Sequence, residues 1–228
     1  IQFFHNHGLL SVTNRPDWYV IKGGSKTYVT ALTASFKDKI RLSTPVTGVK
    51  REKEAVVVSS AQGEERYDAV FFACHSDQAL RLLEQPTASE QQVLGAIKYQ
   101  ENEVLLHTDA SILPKRKTAW AAWNYHLLEN DQGQVPVTYN MNILQGLDAD
   151  QTFCVTLNNS NAIDQTKVLK RLQYHHPIYT QESVAAQARQ SEINTDRLYF
   201  CGAYWRYGFH EDGVVSALNA IEKFKRDL

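Results

Sequence analysis

The clearest hydrophobic pattern in the chain is the unbroken run over residues 69–74, Ala-Val-Phe-Phe-Ala-Cys, which follows Asp68. It lacks the polar alternation of a half-exposed strand, and predicts a strand buried on both faces, as in a parallel sheet. Upstream, residues 18–21 form a strand-like run stopped by Gly23-Gly24-Ser25. Residues 28–36 then place Val29, Leu32 and Phe36 on one helical face. Short apolar segments at 40–42 and 46–49 flank Thr44-Pro45, and a strand at 55–59 leads into the polar turn 62–65. A helix is predicted over 77–83, capped by Ser76 or Asp77, and another over 89–97. From residue 103 to 158 the pattern changes to β segments at 104–107, 119–125, 137–143 and 153–157, with polar loops such as 128–134 between them. That predicts a largely antiparallel sheet. Residues 168–172 read as a brief helix, and 181–189 as a second helix or an irregular connector. A strand at 198–201 and a helix at 213–224, with Val214, Ala217, Leu218 and Ile221 for packing, complete the chain.

The middle of the chain, 81–191, thus reads as one β-rich unit, and the flanks 11–80 and 192–228 as pieces of another. The expected class is α+β with one discontinuous domain. Residues 1–10 read as the end of an upstream helical segment closed by Gly8.

Composition narrows the function. The 228 residues carry a formal net charge of −1, which argues against electrostatically driven nucleic-acid or membrane-surface binding. No apolar stretch approaches the ~20 residues of a membrane span, and no secretory signal pattern is present. Cys74, Cys154 and Cys201 are odd in number and form no metal-binding spacing, so they read as free thiols of a cytoplasmic protein. His5-Asn6-His7 and His175-His176-Pro177 lack the partners a nuclease or metal site needs, and read as loops. Residues 50–54, Lys-Arg-Glu-Lys-Glu, read as a solvated turn. The sole methionine is Met141 and the first residue is Ile1, so the sequence reads as a fragment of a longer chain.

Chemistry concentrates in residues 198–218, where a buried strand enters a glycine-bearing aromatic loop and then the start of an apolar helix. Gly208 and Gly213 permit close backbone approach, and the helix start offers free N–H groups and a positive dipole end for an anionic or electron-rich group.

The segment Phe200-Cys-Gly-Ala-Tyr-Trp, with Tyr207-Gly-Phe-His-Glu-Asp-Gly213 and Ser216-Ala217, resembles the C-terminal flavin-binding motif of FAD-dependent amine-oxidase-like proteins. The likeness is strongest to a bacterial subgroup of NAD/FAD-binding oxidoreductases. Further matches follow in the same order, among them Lys22-Gly-Gly-Ser25, Thr44-Pro-Val46, Ala73-Cys-His-Ser-Asp-Gln-Ala-Leu80 and Trp120-Ala-Ala-Trp-Asn-Tyr125. The resemblance implies an α/β-type FAD/NAD(P)-binding scaffold carrying an inserted, mainly antiparallel substrate domain. It places Gly23, Gly24 and Ser25 at the head of a helix near the flavin, and the Val46 main chain near the adenine. Gly202, Ala203, Glu211, Asp212, Gly213 and Val214 would follow the ribityl chain and pyrimidine edge. Gly208 would bind the cofactor too, Tyr207, Phe209 and Trp205 would wall the isoalloxazine, and Trp120, Trp123, Tyr139 and Trp205 would line the substrate side. Ala203 stands where many relatives carry an acidic residue. No metal and no catalytic acid or base is implied.

One element of the family pattern is missing: no G-x-G-x-x-G occurs in the sequence. The scaffold is therefore expected to be incomplete, with raw strand edges and weak or absent FAD binding by this chain alone. The leading expectation is the C-terminal part of an FAD-dependent oxidoreductase acting on a small organic molecule. The alternatives are a non-catalytic binding or assembly module on the same scaffold, and one half of a split flavoprotein whose βαβ unit comes from another chain.

Overall fold

The computed structural model describes residues 10–14, 17, 19–128 and 134–228. The turn expected at His5–Gly8, Trp18 at the head of its strand-like run, and most of the 128–134 loop lie outside them. Residues 19–21 form no strand.

In chain order the elements are α1 (Ser25–Thr33), a 3-10 turn (Ala34–Lys39), β1 (Val46–Arg51), β2 (Val56–Ser60), β3 (Gly63–Tyr67), β4 (Val70–Phe72), α2 (Ser76–Leu82), α3 (Ala88–Ala96), β5 (Tyr99–His107), β6 (Trp123–Tyr125), β7 (Val137–Asn140), α4 (Met141–Gln145), β8 (Cys154–Leu157), β9 (Val168–Pro177), α5 (Gln181–Gln187), α6 (Gln190–Ile193), β10 (Leu198–Phe200) and α7 (His210–Asp227). The class is α+β.

The chain packs as two units, 1–40 with 103–172 and 41–102 with 173–228. These boundaries differ from spans drawn on composition, because packing follows shared cores. In the second unit one core joins Val49 and Val56 of the β1–β2 hairpin to Phe72, to Val93 and Leu94 of α3, to Ala186 of α5 and to Leu198 and Phe200 of β10. Residues 81–102 and 173–191 thus pack with the flanks of the sequence. Strands β5 and β9 carry the chain from one unit to the other.

In this second unit β1, β2 and β3 form an antiparallel meander. Strands β4 and β10 pair in parallel, Val70 opposite Leu198 and Phe72 opposite Phe200. The parallel pairing agrees with the apolar run, but burial on both faces does not: Phe71 is 39% exposed. Its ring stacks on Tyr199 at 4.9 Å and meets Phe224 edge-on at 5.6 Å. The outer side of β10 is closed, since the Phe200 N–H donates to Asn194 Oδ1 (2.7 Å) and its carbonyl accepts from Gln190 (2.9 Å). No strand pairs with the other side of β4 among the described residues. Helix α2 starts after His75 rather than being capped by Ser76 or Asp77, and Gln78 Oε1 accepts the His75 N–H at 3.2 Å.

The first unit is built on the sheet of order β6-β7-β8-β5-β9, with the β6–β7, β7–β8 and β8–β5 pairs antiparallel. Residues 119–122 are not strand, and the segment expected to extend to 143 turns at Asn140 into α4, where Asn140 Oδ1 caps the Ile143 N–H. Residues 168–172 are strand, not helix. Their Val168/Leu172 spacing suits a helix face, but cross-strand pairing decides. Arg171 binds Glu103 (2.7 Å), and in the other unit Gln173 binds Glu101. The same strand holds His175-His176-Pro177, which is therefore not a loop, and His176 Nδ1 lies 2.9 Å from the Asn102 amide nitrogen. Helix α1 buries none of its residues, so Val29 and Leu32 stand exposed. Residues 50–54 end β1 and turn into β2, and Arg51 reaches the buried Glu90 rather than solvent alone.

Candidate functional site

The carboxyl ends of parallel strands are where α/β sheets hold ligands, and here those of β4 and β10 open onto Cys74 and Cys201. Beyond β10 the chain passes Gly202, a 3-10 turn over Ala203–Trp205, and the loop 206–209 into α7. Side chains fix this path from several directions. Ser216 Oγ accepts the Gly202 N–H (2.8 Å) and donates to the Gly213 carbonyl (2.9 Å). Gln190 bridges the carbonyls of Phe200 and Ser216, and Gln187 those of Tyr204 and Arg206. Asp212, 5% exposed, accepts the N–H groups of Tyr207 (3.2 Å) and Phe209 (2.9 Å) and lies 3.5 Å from Arg206 Nε. Because Asp212 closes the loop in this way, α7 begins at His210, three residues before the sequence pattern places it.

Gly202 is sterically required: a Cβ there would sit 2.4 Å from Tyr204 Cε1. Gly208 is required by its backbone, at φ +92°. A Cβ on Gly213 would meet nothing nearer than the Ala203 nitrogen at 3.9 Å. The first turn of α7 therefore carries bare backbone with room beside it.

Two polar atoms of this turn have no hydrogen-bond partner among the described residues, the Tyr204 hydroxyl and Trp205 Nε1. Tyr204 is 5% and Trp205 4% exposed. An unsatisfied buried group costs about 1–3 kcal/mol, so the pair is a destabilised feature of an otherwise satisfied loop. Burial pushes the Tyr204 phenol well above its ordinary range, helped by Tyr99, Cys201 and Cys74. The Trp205 indole, close enough to act on the phenol, opposes this. The neighbouring acids are held neutral as well. Burial raises the Cys74 and Cys201 thiols, and burial with Asp212 and Tyr99 pushes Tyr179 up to about 12. These cysteines are free and stay thiols, not nucleophilic thiolates.

Of the other residues singled out in this unit, Val46 begins β1 and is 39% exposed, Tyr207 is 41% exposed with the Arg206 guanidinium 5.9 Å from its ring centre, and Val214 is 53% exposed. Phe209 stands at the helix N-cap, with Glu211 exposed in the first turn.

In the first unit Gly23 and Gly24 both take φ +81°, a left-handed conformation that Gly allows, and Ser25 opens α1. Trp123 and Tyr139 face each other in register, rings 6.1 Å apart and edge-on. Trp120 lies before the strand, its indole donating to the Pro114 carbonyl at 2.8 Å. The sheet also holds an arrangement that sequence patterns did not signal. Oxygen and nitrogen atoms of His107, Thr156, Thr138 and His126 form a continuous chain of contacts at 2.7–2.8 Å.

The bare backbone at the first turn of α7, with room beside Gly213, fits the polar edge of a flat ring such as a flavin. No glycine-rich diphosphate cradle is encoded in the 228 residues, so the fit covers one end of FAD only. Among the described residues no group of three or more His, Cys, Asp or Glu side chains could hold a metal, and no helix is long and apolar enough to cross a membrane.

Comparison with known proteins gives a consistent picture. The fold is similar to a candidate protoporphyrinogen oxidase from Exiguobacterium sp. 255-15, with TM-score 0.67, 13% identity, and coverage of 99% of this chain and 57% of that one. It is also similar to a putrescine oxidase variant redesigned for cofactor binding (TM-score 0.59, 11% identity, 89% and 53% covered). A conjugated-linoleic-acid-producing fatty acid isomerase from P. acnes gives TM-score 0.57 at 13% identity, 88% and 52% covered. The chain thus spans little more than half the length of these structures. No curated protein matches it by sequence. The family model for flavin containing amine oxidoreductases matches residues 3–141, so the loop at 200–217 lies outside the match. That match takes in more than half of the sequence, and the chain belongs to the family of flavin containing amine oxidoreductases.

Proposed function

We propose that the chain is the C-terminal portion of a cytoplasmic, bacterial FAD-dependent oxidoreductase that takes a hydride from a small organic substrate, in the manner of an amine oxidase or desaturase. The observation that carries this reading is the loop 201–209, fixed by Ser216, Gln187, Gln190 and Asp212 at the carboxyl ends of two parallel strands. When bound, FAD supplies the hydride acceptor. The residues of this chain bind and orient. Gly202, Ala203, Gly208, Glu211, Asp212, Gly213 and Val214 are assigned to the ribityl and pyrimidine side, Val46 to the adenine, and Tyr207, Phe209 and Trp205 to the ring wall. In the other unit, Gly23, Gly24 and Ser25 are assigned to the cofactor, and Trp120, Trp123 and Tyr139 to the substrate side. Asp212 holds the loop's own N–H groups, so its part is to shape the site rather than to donate or accept protons.

The unpaired side of β4 supports a dinucleotide-binding βαβ unit acting with this chain, in cis or supplied by a second polypeptide, since parallel strands are stable inside larger covered sheets. The test is to purify the polypeptide from its own host under native conditions and record its visible spectrum. A flavin band that follows the protein supports the reading. A colourless protein that FAD cannot reconstitute overturns it.

A further inference from the structure

The free side of β4 carries none of the devices that keep an exposed strand edge in solution. The Val70 N–H donates to the Arg197 carbonyl (2.8 Å), and the Phe72 carbonyl accepts from the Cys201 N–H (2.9 Å). Alternation along a parallel ladder therefore turns the main-chain groups of Phe71 away from β10. No described strand pairs with that side. Residues 69–73 read Ala-Val-Phe-Phe-Ala, with no charge and no proline to discourage pairing. Such an edge belongs inside a sheet.

A second bare surface lies beside it. Residues 214–221 of α7 carry no charge, and Val214, Leu218 and Ile221 are exposed, Leu218 by 55%. At about 100° per residue these three form one stripe, on the flank opposite Ser216. Ser216 is tied over the outer side of β10: its Oγ accepts the Gly202 N–H, and Gln190 joins its carbonyl to that of Phe200. Between the two flanks, Ala217, Ala220 and Phe224 pack on Tyr199 and Cys201. The bare stripe therefore overhangs the β4 side, where Phe71, in edge-on contact with Phe224, is itself partly exposed. An apolar strip running on from an unpaired strand edge marks an interaction surface.

We propose that the free side of β4 and the Val214–Leu218–Ile221 stripe are one docking surface, shaped for a single parallel β-strand. The strand belongs to the βαβ unit invoked above, so the proposal rests on that reading and adds where the unit docks and what its strand carries. Its main chain pairs with Phe71. Its alternate side chains meet the stripe on one face and the Phe72 side on the other, so its sequence is an unbroken apolar run like 69–74. Helix α7 runs back along the strands, from Ser216 beside Gly202 to Phe224 over Phe71. The carboxyl end of the docked strand therefore arrives at Val214 and the open first turn at Gly213. A second copy of this chain, related by a two-fold axis, would pair antiparallel and leave that end open. The similar structures are nearly twice as long as this chain, so the fold has further elements to place there.

The test uses protein purified from its own host. The Phe71 amide should exchange its hydrogen as slowly as that of Val70, which is paired inside the sheet. p-Benzoylphenylalanine at position 222, on the rim of the stripe, should crosslink to an apolar strand that leads into G-x-G-x-x-G, identified by mass spectrometry. Leu218→Asp should release Phe71 by about tenfold or more while Val70 stays protected, and should remove the crosslink. Asn219→Asp, on the solvent side, should change neither. If Leu218→Asp also releases Val70, the milder Leu218→Gln takes its place. Exchange at Phe71 about tenfold faster than at Val70 in the parent overturns the docking surface. So does a crosslink between two copies of this chain, or to any segment other than such a strand. The visible spectrum of the same material separates the two readings. A flavin band with Phe71 open leaves the flavin reading standing alone, and a docked strand in a protein that FAD cannot reconstitute leaves the docking surface standing alone.

Discussion

His107 Nε2 and Thr156 Oγ1 lie 2.8 Å apart in the buried face of the first unit's sheet, on neighbouring strands β5 and β8. The other ring nitrogen, Nδ1, faces the Asp109 N–H at 3.1 Å, a group that can only donate. His107 is therefore protonated at Nε2 and donates to Thr156. Thr156 Oγ1 lies 2.8 Å from Thr138 Oγ1, and Thr138 Oγ1 2.7 Å from His126 Nε2. One backbone N–H thus fixes the tautomer of His107 at the head of a chain of four side chains.

Breaking the middle of this chain should be costly. Thr156→Val keeps the shape and leaves both the His107 N–H and the Thr138 hydroxyl without their partner, so a loss of about 1–3 kcal/mol is expected from urea unfolding. Thr156→Ser, which keeps the hydroxyl, should lose less. Equal losses in the two variants would mean that the missing methyl, not the hydrogen bond, matters at this site.

The same histidines make stability depend on pH. Burial lowers the pKa of His107 and His126, and burial with the nearby His75 and His175 lowers that of His176, all from an ordinary 6.5. As pH falls below that value the unfolded chain binds protons before the folded one, so stability is full above about pH 6.5 and declines below it. Each histidine can contribute a slope of at most about 1.4 kcal/mol per pH unit. Asp109 does not blur this window. Burial opposes its ionisation, but hydrogen bonds from Asp164, Ser111 and Lys167 outweigh that and hold it well below the ordinary carboxylate range. Its contribution is lost only at more acid pH. Urea midpoints should be flat from pH 7 to 8 and fall toward pH 5, and His126→Gln should make the fall shallower.

The parts of the fold that local pattern governs were readable in the sequence. The apolar run at 69–74 announced a strand of a parallel pair, and the helix expected over 89–97 is α3, which starts one residue earlier because Thr87 and Glu90 cap it. What escaped was set by partners far along the chain. Val168 and Leu172 have helical spacing, and pairing beside β5, whose Glu103 lies sixty-eight positions from Arg171, makes their segment a strand. The His107–Thr156–Thr138–His126 chain draws on four separate segments, and no spacing rule joins them. In the candidate site the glycines and Asp212 stood out by type. The burial of Tyr204 and Trp205 in the core did not, because it is set by Val49, Val93 and Ile193, which lie far along the chain.

Glu90 offers a third test. It is 1% exposed, pairs with Arg51, and accepts the Thr87 N–H at 2.8 Å while Thr87 Oγ1 accepts its own N–H at 3.2 Å. Glu90→Gln keeps much of the cap but takes away the carboxylate that pairs with the half-buried Arg51, leaving Asp196 as its nearby negative charge. A loss of about 3 kcal/mol is expected. Thr87→Ala, which removes the cap and keeps the ion pair, should cost about 1 kcal/mol. Chemical denaturation of the two variants separates the effects, and the reverse ranking would assign the stability to the cap.

The two glycines of the candidate site should respond in opposite ways to the same methyl group. At Gly202 a Cβ would fall 2.4 Å from Tyr204 Cε1 and 2.8 Å from its Cδ1. The ring is held inside the core, so Gly202→Ala must displace it or the strand end, at a cost of about 1–3 kcal/mol. At Gly213 the backbone is helical and the nearest atoms are Ala203 N at 3.9 Å and Ala203 Cβ at 4.0 Å, so alanine fits. Gly213→Ala should therefore stabilise the chain, by about 0.5–1 kcal/mol, through the lower entropy of its unfolded state. If the space beside this first turn serves the flavin, the same variant should bind riboflavin more weakly than the parent while melting higher. A variant that melts higher and binds riboflavin as well as the parent would remove Gly213 from the cofactor-binding residues.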